Sequence, residues 1–124
     1  MATSIAVLVL DDNHEVAQGV ADILELSGYD VTMVHDGPSA ISAYCTGQFK
    51  IGLFDVRMPG MNGVEAFMEI RRRCPSVNVL LMSGYAEDGL IAKALDNGAL
   101  GLLSKPFEPD DMLARVANAC ASVH

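Results

Sequence analysis

Residues 51–63 read IGLFDVRMPGMNG, an apolar run that stops at Asp55 and passes into a Pro-Gly turn. A short run of this kind is a strand covered on both faces, here delivering one carboxylate to its C-terminal tip. In an open parallel sheet, ligands bind in the crevice outside the carboxyl ends of the strands, so a reactive group belongs at such a tip. Asp55 alone proves little, since an aspartate at a strand end is more often a helix N-cap or turn former. Its meaning depends on what stands at the neighbouring tips.

Outward from this stretch the chain alternates strand and helix. Residues 5–10 (IAVLVL) form a second fully apolar strand, ending at Asp11-Asp12. Asn13 caps a helix with Val16, Val20, Ile23, Leu24 and Leu26 on its apolar face and Gly28 as its stop. Residues 31–34 (VTMV) are partly polar and suit an edge strand; a helix starts at Asp36-Gly37-Pro38 and turns Ile41, Tyr44 and Cys45 inward. After the central strand, residues 51–54, Asn62 and Glu65 form a capping-box start for a helix that runs to Arg73 and ends at Cys74-Pro75. Residues 77–82 (VNVLLM) make a fourth strand with Ser83 at its tip. A helix with Leu90, Ile91, Ala94 and Leu95 as its buried stripe follows, stopped by Gly98. Residues 101–103 make a fifth strand leading into Ser104-Lys105-Pro106, and a last helix from Glu108-Pro109 carries Met112, Leu113, Val116 and Cys120 on one face.

Five strands alternating with five helices imply right-handed crossovers and a parallel sheet with helices on both faces. The flavodoxin-like strand order 2-1-3-4-5 places the two most apolar strands at the centre and residues 31–34 at an edge. On that order Asp11-Asp12, Asp55, Ser83 and Lys105 share one rim.

The 124 residues fit a single domain spanning 1–124, with no repeat, low-complexity segment or linker-like stretch. No apolar run is long enough to span a bilayer and the N-terminus carries no secretory pattern, so the expected location is the cytoplasm. Sixteen acidic against eight basic residues, a formal charge of −8, argue against direct contact with nucleic acid or an anionic membrane. Cys45, Cys74 and Cys120 are odd in number and far apart, with neither metal-ligand nor redox spacing, and are expected to be reduced, mostly buried thiols. His14, His35 and His124 are expected to be solvated or capping residues.

Several carboxylates at adjacent tips cannot all stay charged without compensation, so either one is protonated or a cation enters. Magnesium suits such a set, since it prefers oxygen ligands and is typically held by one or two carboxylates together with a phosphate. Lys105 supplies another positive charge, and the Ser83 hydroxyl can donate to a phosphoryl oxygen. These are the parts that neutralise a phosphoryl group moving onto a carboxylate.

Strand one ending in Asp11-Asp12, FDVRMPGMNG (residues 54–63), MSGYA (82–86) and SKPFEPDDM (104–112) stand in the order of four signatures, and over essentially its whole length the chain resembles the receiver domain of two-component response regulators. The resemblance implies a CheY-like fold in which Asp55 accepts a phosphoryl group from a histidine kinase, a histidine phosphotransfer protein or a small phosphodonor. It implies that Asp12 and Asp55 bind Mg2+ directly, Asp11 through water and Arg57 through its backbone carbonyl. Lys105 would pair with the phosphoryl oxygens, Ser83 would donate its hydroxyl to them, and the Lys105-Pro106 bond would be cis. Such a domain is a regulatory phosphoacceptor and not an enzyme beyond its own phosphorylation and dephosphorylation. Its output is a change at the face of the fourth helix, fifth strand and fifth helix, read by a downstream protein, an attached output domain or a second copy in a homodimer.

Four positions qualify the resemblance. Leu102 stands where relatives commonly carry an aromatic residue coupled to the hydroxyl switch, and Ser83 replaces the commoner threonine. Arg57 and Tyr85 flank the acceptor, where Tyr85 is expected to shield the acyl phosphate from water. A haloacid-dehalogenase-like phosphatase fits less well, because its nucleophile lies on the first strand with a second aspartate two residues later. A phosphorylation-independent interaction module remains the principal alternative, and an attached output or a stand-alone receiver are both open.

Overall fold

The computed structural model describes residues 4–84 and 89–122. The elements alternate as β1 (Ala6–Leu10), α1 (His14–Leu26), β2 (Asp30–Val34), α2 (Gly37–Thr46), β3 (Ile51–Asp55), α3 (Gly63–Arg73), β4 (Val79–Ser83), α4 (Gly89–Asp96), β5 (Gly101–Ser104) and α5 (Pro109–Ser122). All four strand pairings are parallel, in the order β2-β1-β3-β4-β5.

The period-2 alternation of the strands sorts the core into two halves. Leu8, Leu10, Phe54, Val79 and Leu81 point to one face, where α2, α3 and α4 cover them. Val7, Val9, Ile51, Leu53, Leu80 and Met82 point to the other, against α1 and α5. Both faces of β3 and β4 are buried throughout, which is why these strands read as unbroken apolar runs. β2, with its mixed burial, is the expected edge.

Local signals produce the helix boundaries. Asn13 accepts from the backbone N–H of Glu15 and Val16, Asp36 from that of Ser39, and Asn62 and Glu65 complete a reciprocal capping box. Gly28 and Gly98 follow α1 and α4 at positive φ.

Three expectations need correction. β4 begins at Val79, because the N–H of Val77 is turned back to the Cys74 carbonyl and that of Asn78 donates to the Tyr44 hydroxyl. Leu26 is 89% exposed: the inward stripe of α1 is Ala17, Val20, Ala21 and Leu24, and position 26 lies about 200° round the helix from Leu24. In α4, Ile91 and Ala94 are buried while Leu95 is 42% exposed.

Candidate functional site

The register of the ladder sets the rim. Leu10 pairs with Phe54, Asp55 with Met82 and Ser83 with Ser104, so the residues ending or following these strands arrive level. Asp55 closes β3 and is 6% exposed; Val56 continues the ladder with an N–H bond to the Met82 carbonyl. Asp11, 1% exposed, donates its N–H to the Val34 carbonyl, while its Oδ1 accepts from Asn13 N. Asp12 lies at the surface beside it. One ligand oxygen from each of Asp11, Asp12 and Asp55 lies within 4.8 Å of the others.

Lys105 enters from the far side of β4, its backbone N–H bonded to the Ser83 carbonyl at 2.7 Å and its peptide with Pro106 cis. Its Nζ lies 3.0 Å from Asp11 Oδ2 and 3.2 Å from Asp55 Oδ1, one ammonium bridging two buried carboxylates. Ser83 ends β4 and is fully buried. Arg57 is exposed, just past the end of β3, and Leu102 is half-buried on β5 against the α4 side of the core. Tyr85 and His124 lie outside the described residues.

The approach of α3 to this rim depends on a single hydrogen. The Gly63 N–H donates to the Val56 carbonyl at 3.2 Å, and a Cβ at Gly63 would fall 1.9 Å from the Asp55 carbonyl oxygen. Glycine lets the helix start pass directly over the Asp55 peptide. His35 was also not expected here. Its Nδ1 lies 2.9 Å from the Asp11 carbonyl, and its ring stacks on His14 at 3.6 Å. The β1–β2 register, pairing Leu10 with Val34, carries residues 11 and 35 past the sheet side by side.

Burial pushes the Asp55 carboxyl up to about 6, the charge of Asp11 adds to this, Lys105 opposes it and Asp12 contributes a further small rise. For Lys105, burial pulls the ammonium down, but its bonds and charge attraction to Asp11 and Asp55 outweigh this and hold it above its ordinary value. In the metal-free protein, Lys105→Met keeps most of the stem and removes the compensating charge. It is expected to cost about 2 kcal/mol at pH 8, discounted from the usual cost of breaking a buried pair because Lys105 is partly exposed. The loss should shrink as the pH falls through about 6 and Asp55 takes up a proton. Urea unfolding of both proteins at pH 8 and pH 5 measures this.

An oxygen-only donor set, in which burial first and the charge of Asp11 second raise the proton affinity of Asp55, fits a hard divalent cation such as magnesium.

Residues 7–117 match the family model for the response regulator receiver domain. The chain is 33% identical to the uncharacterized transcriptional regulatory protein YkoG of Bacillus subtilis, over 91% of this chain and 50% of that one. It thus spans about half the length of that relative. The receiver domain of the putative response regulator NarL from Mycobacterium tuberculosis superposes with a TM-score of 0.87 at 29% identity, covering 98% of this chain and 99% of that one. A CheY-like receiver protein from Methanospirillum hungatei shares the fold with a TM-score of 0.91 at 24% identity, over 96% and 95% of the two chains. With the strand order, the acidic rim and the bridging lysine all in place, the chain belongs to the response regulator receiver domains, the phosphoacceptor modules of two-component signalling.

Proposed function

We propose that Asp55 is the phosphoacceptor of this chain and that residues 1–124 work as one receiver unit in the cytoplasm. The observation that carries this is the bridge of Lys105 between Asp11 and Asp55, at a rim where three carboxylates converge and Asp55 is held near pH 6. Asp12 and Asp55 would hold magnesium directly, Asp11 through water and Arg57 through its carbonyl. The cation supplies the positive charge that lets an anionic carboxylate meet an anionic phosphoryl group.

In transfer from a phosphohistidine, an Asp55 carboxylate oxygen bonds to phosphorus as the N–P bond breaks, and the electron pair stays on the imidazole, which takes up a proton. Lys105 then shifts from pairing carboxylates to pairing phosphoryl oxygens, and the Ser83 hydroxyl donates to another of them. The loop after β4 follows Ser83, because only one of its two positions interacts favourably with the phosphoryl group. Leu102 transmits this by repacking beneath α4, without an aromatic ring.

The donor is a histidine kinase or histidine phosphotransfer protein. Val16, Gly19, Val20 and Ile23 of α1, with Lys105, Pro106 and Phe107, line an apolar groove of about 430 Å³. A donor helix laid there would be seated directly beside Lys105, over the rim that must receive its phosphoryl group. Output goes through α4, β5 and α5, where Leu95 and Leu100 are exposed, to a protein target, an attached domain or a second copy. Formation of one magnesium-dependent phosphoryl adduct on incubation with acetyl phosphate, followed by intact mass, tests the proposal. No adduct together with no magnesium binding would instead favour the phosphorylation-independent interaction module.

A further inference from the structure

Cys45 and Cys74 are 29 residues apart in sequence, yet their Sγ atoms lie 3.3 Å apart, the Cys74 thiol donating to that of Cys45. Both thiols are free and half-buried. Cys45 sits in the last turn of α2, and Cys74 is the C-cap of α3, its N–H bonded to the Ile70 carbonyl. Cys120 is buried on the opposite face of the sheet. We propose that Cys45 and Cys74 are a reversible oxidation site at which a small peroxide forms an intramolecular disulfide, clamping the end of α2 to the end of α3.

The geometry asks for little. The sulfurs must close by about 1.3 Å to reach the bonded distance of about 2.05 Å. Both residues are at helix ends, where a small rotation is less constrained than in a helix interior. Access is provided by a cleft of about 380 Å³ lined by Pro38, Ile41, Ser42, Cys45, Thr46 and Arg73. It is wide enough for hydrogen peroxide and reaches Cys45; Arg73, which lines it, is paired with Glu69 at 2.9 Å, so its charge favours the thiolate only in part. Burial, the neighbouring Cys74 thiol and Glu69 oppose ionisation and outweigh Arg73, so the pair is slower than a catalytic thiol and responds to sustained oxidant.

The chemistry balances without another reagent. The Cys45 thiolate attacks one peroxide oxygen and the O–O bond breaks, leaving a sulfenic acid and a hydroxide that takes up the thiol's proton to become water. Cys74 sulfur then attacks the sulfenic sulfur and the S–O bond breaks, releasing a second water. Two thiols and one hydrogen peroxide become one disulfide and two waters. The crosslink lies at the far end of α3 from Gly63, about 16 Å away by helix length, and leaves the phosphoacceptor rim untouched.

The test is a thiol and peptide map of the folded protein after mild hydrogen peroxide. Expected are loss of two hydrogens, a linked Cys45–Cys74 peptide, Cys120 alone still open to alkylation, and recovery of all three thiols with dithiothreitol. Cys120→Ser should crosslink like wild type, and Cys45→Ser and Cys74→Ser should not. The oxidised form should melt roughly 5–10 °C higher, as expected for closing a loop of this length. If either serine variant misfolds, the wild-type map decides on its own. Three alkylatable thiols after peroxide, sulfinic acid at Cys45 without a crosslink, or bonds to Cys120 or between chains would overturn the proposal.

Discussion

Asp55→Asn is expected to stabilise the metal-free protein while abolishing the phosphoryl adduct. The wild-type carboxylate is ionised at neutral pH in a place that disfavours its charge, through burial first and the proximity of Asp11 second. A carboxyl whose folded value is raised to about 6 makes the folded state bind the proton more tightly than the unfolded chain does. Its destabilising contribution is therefore complete above about pH 6 and vanishes as the pH falls towards the ordinary carboxylate range. Asparagine keeps the shape without the charge, so the variant should gain about 2 kcal/mol at pH 7.5, and this advantage should disappear near pH 4. Magnesium should reverse the order, because it stabilises the wild type by binding only the folded state and has one fewer carboxylate to hold in the variant. Urea midpoints at two pH values, with and without magnesium, measure this alongside the intact mass. A variant no more stable than wild type at pH 7.5 would mean that Lys105 already compensates Asp55 fully.

Gly63→Ala should be costly for a different reason. The added carbon would meet the Asp55 carbonyl oxygen at 1.9 Å and its carbonyl carbon at 2.8 Å, and both atoms belong to the backbone of a central strand. No side chain can swing aside, so either α3 lifts or the tip of β3 shifts. A loss of about 3 kcal/mol is expected, at the upper end for overpacking. If Asp55 is the acceptor proposed above, displacing it should also slow adduct formation from acetyl phosphate at least about tenfold, since misplacement on the order of 1 Å weakens the alignment on which transfer depends. Unfolding midpoints and the time course of the mass shift separate the two effects. A destabilised variant that is phosphorylated at the wild-type rate would limit Gly63 to packing.

The architecture and the rim were legible in the chain because their signals are short-range. Caps at Asn13, Asp36 and Asn62, stops at Gly28 and Gly98, and apolar runs that end in polar residues each act within about one helical turn or one strand. Leu26 shows the limit of such reading. It is as apolar as Leu24, and only the packing of α1 on the sheet determines that the small residues Ala17 and Ala21 face inward while Leu26 meets water.

By itself the sequence determined the order of elements, the parallel sheet and the residues at its tips, since crossover handedness and strand periodicity leave few arrangements of alternating elements. Tertiary structure alone decided that Lys105 bridges Asp11 and Asp55, that burial raises Asp55, that Gly63 lies over the Asp55 peptide, and that His35 rests against the loop of Asp11. It also brought Cys45 to Cys74, which their spacing had left far apart. The physical reason is common to all of these. Each depends on the distance between groups 8 to 94 residues apart, which strand register and helix packing set and no local pattern records.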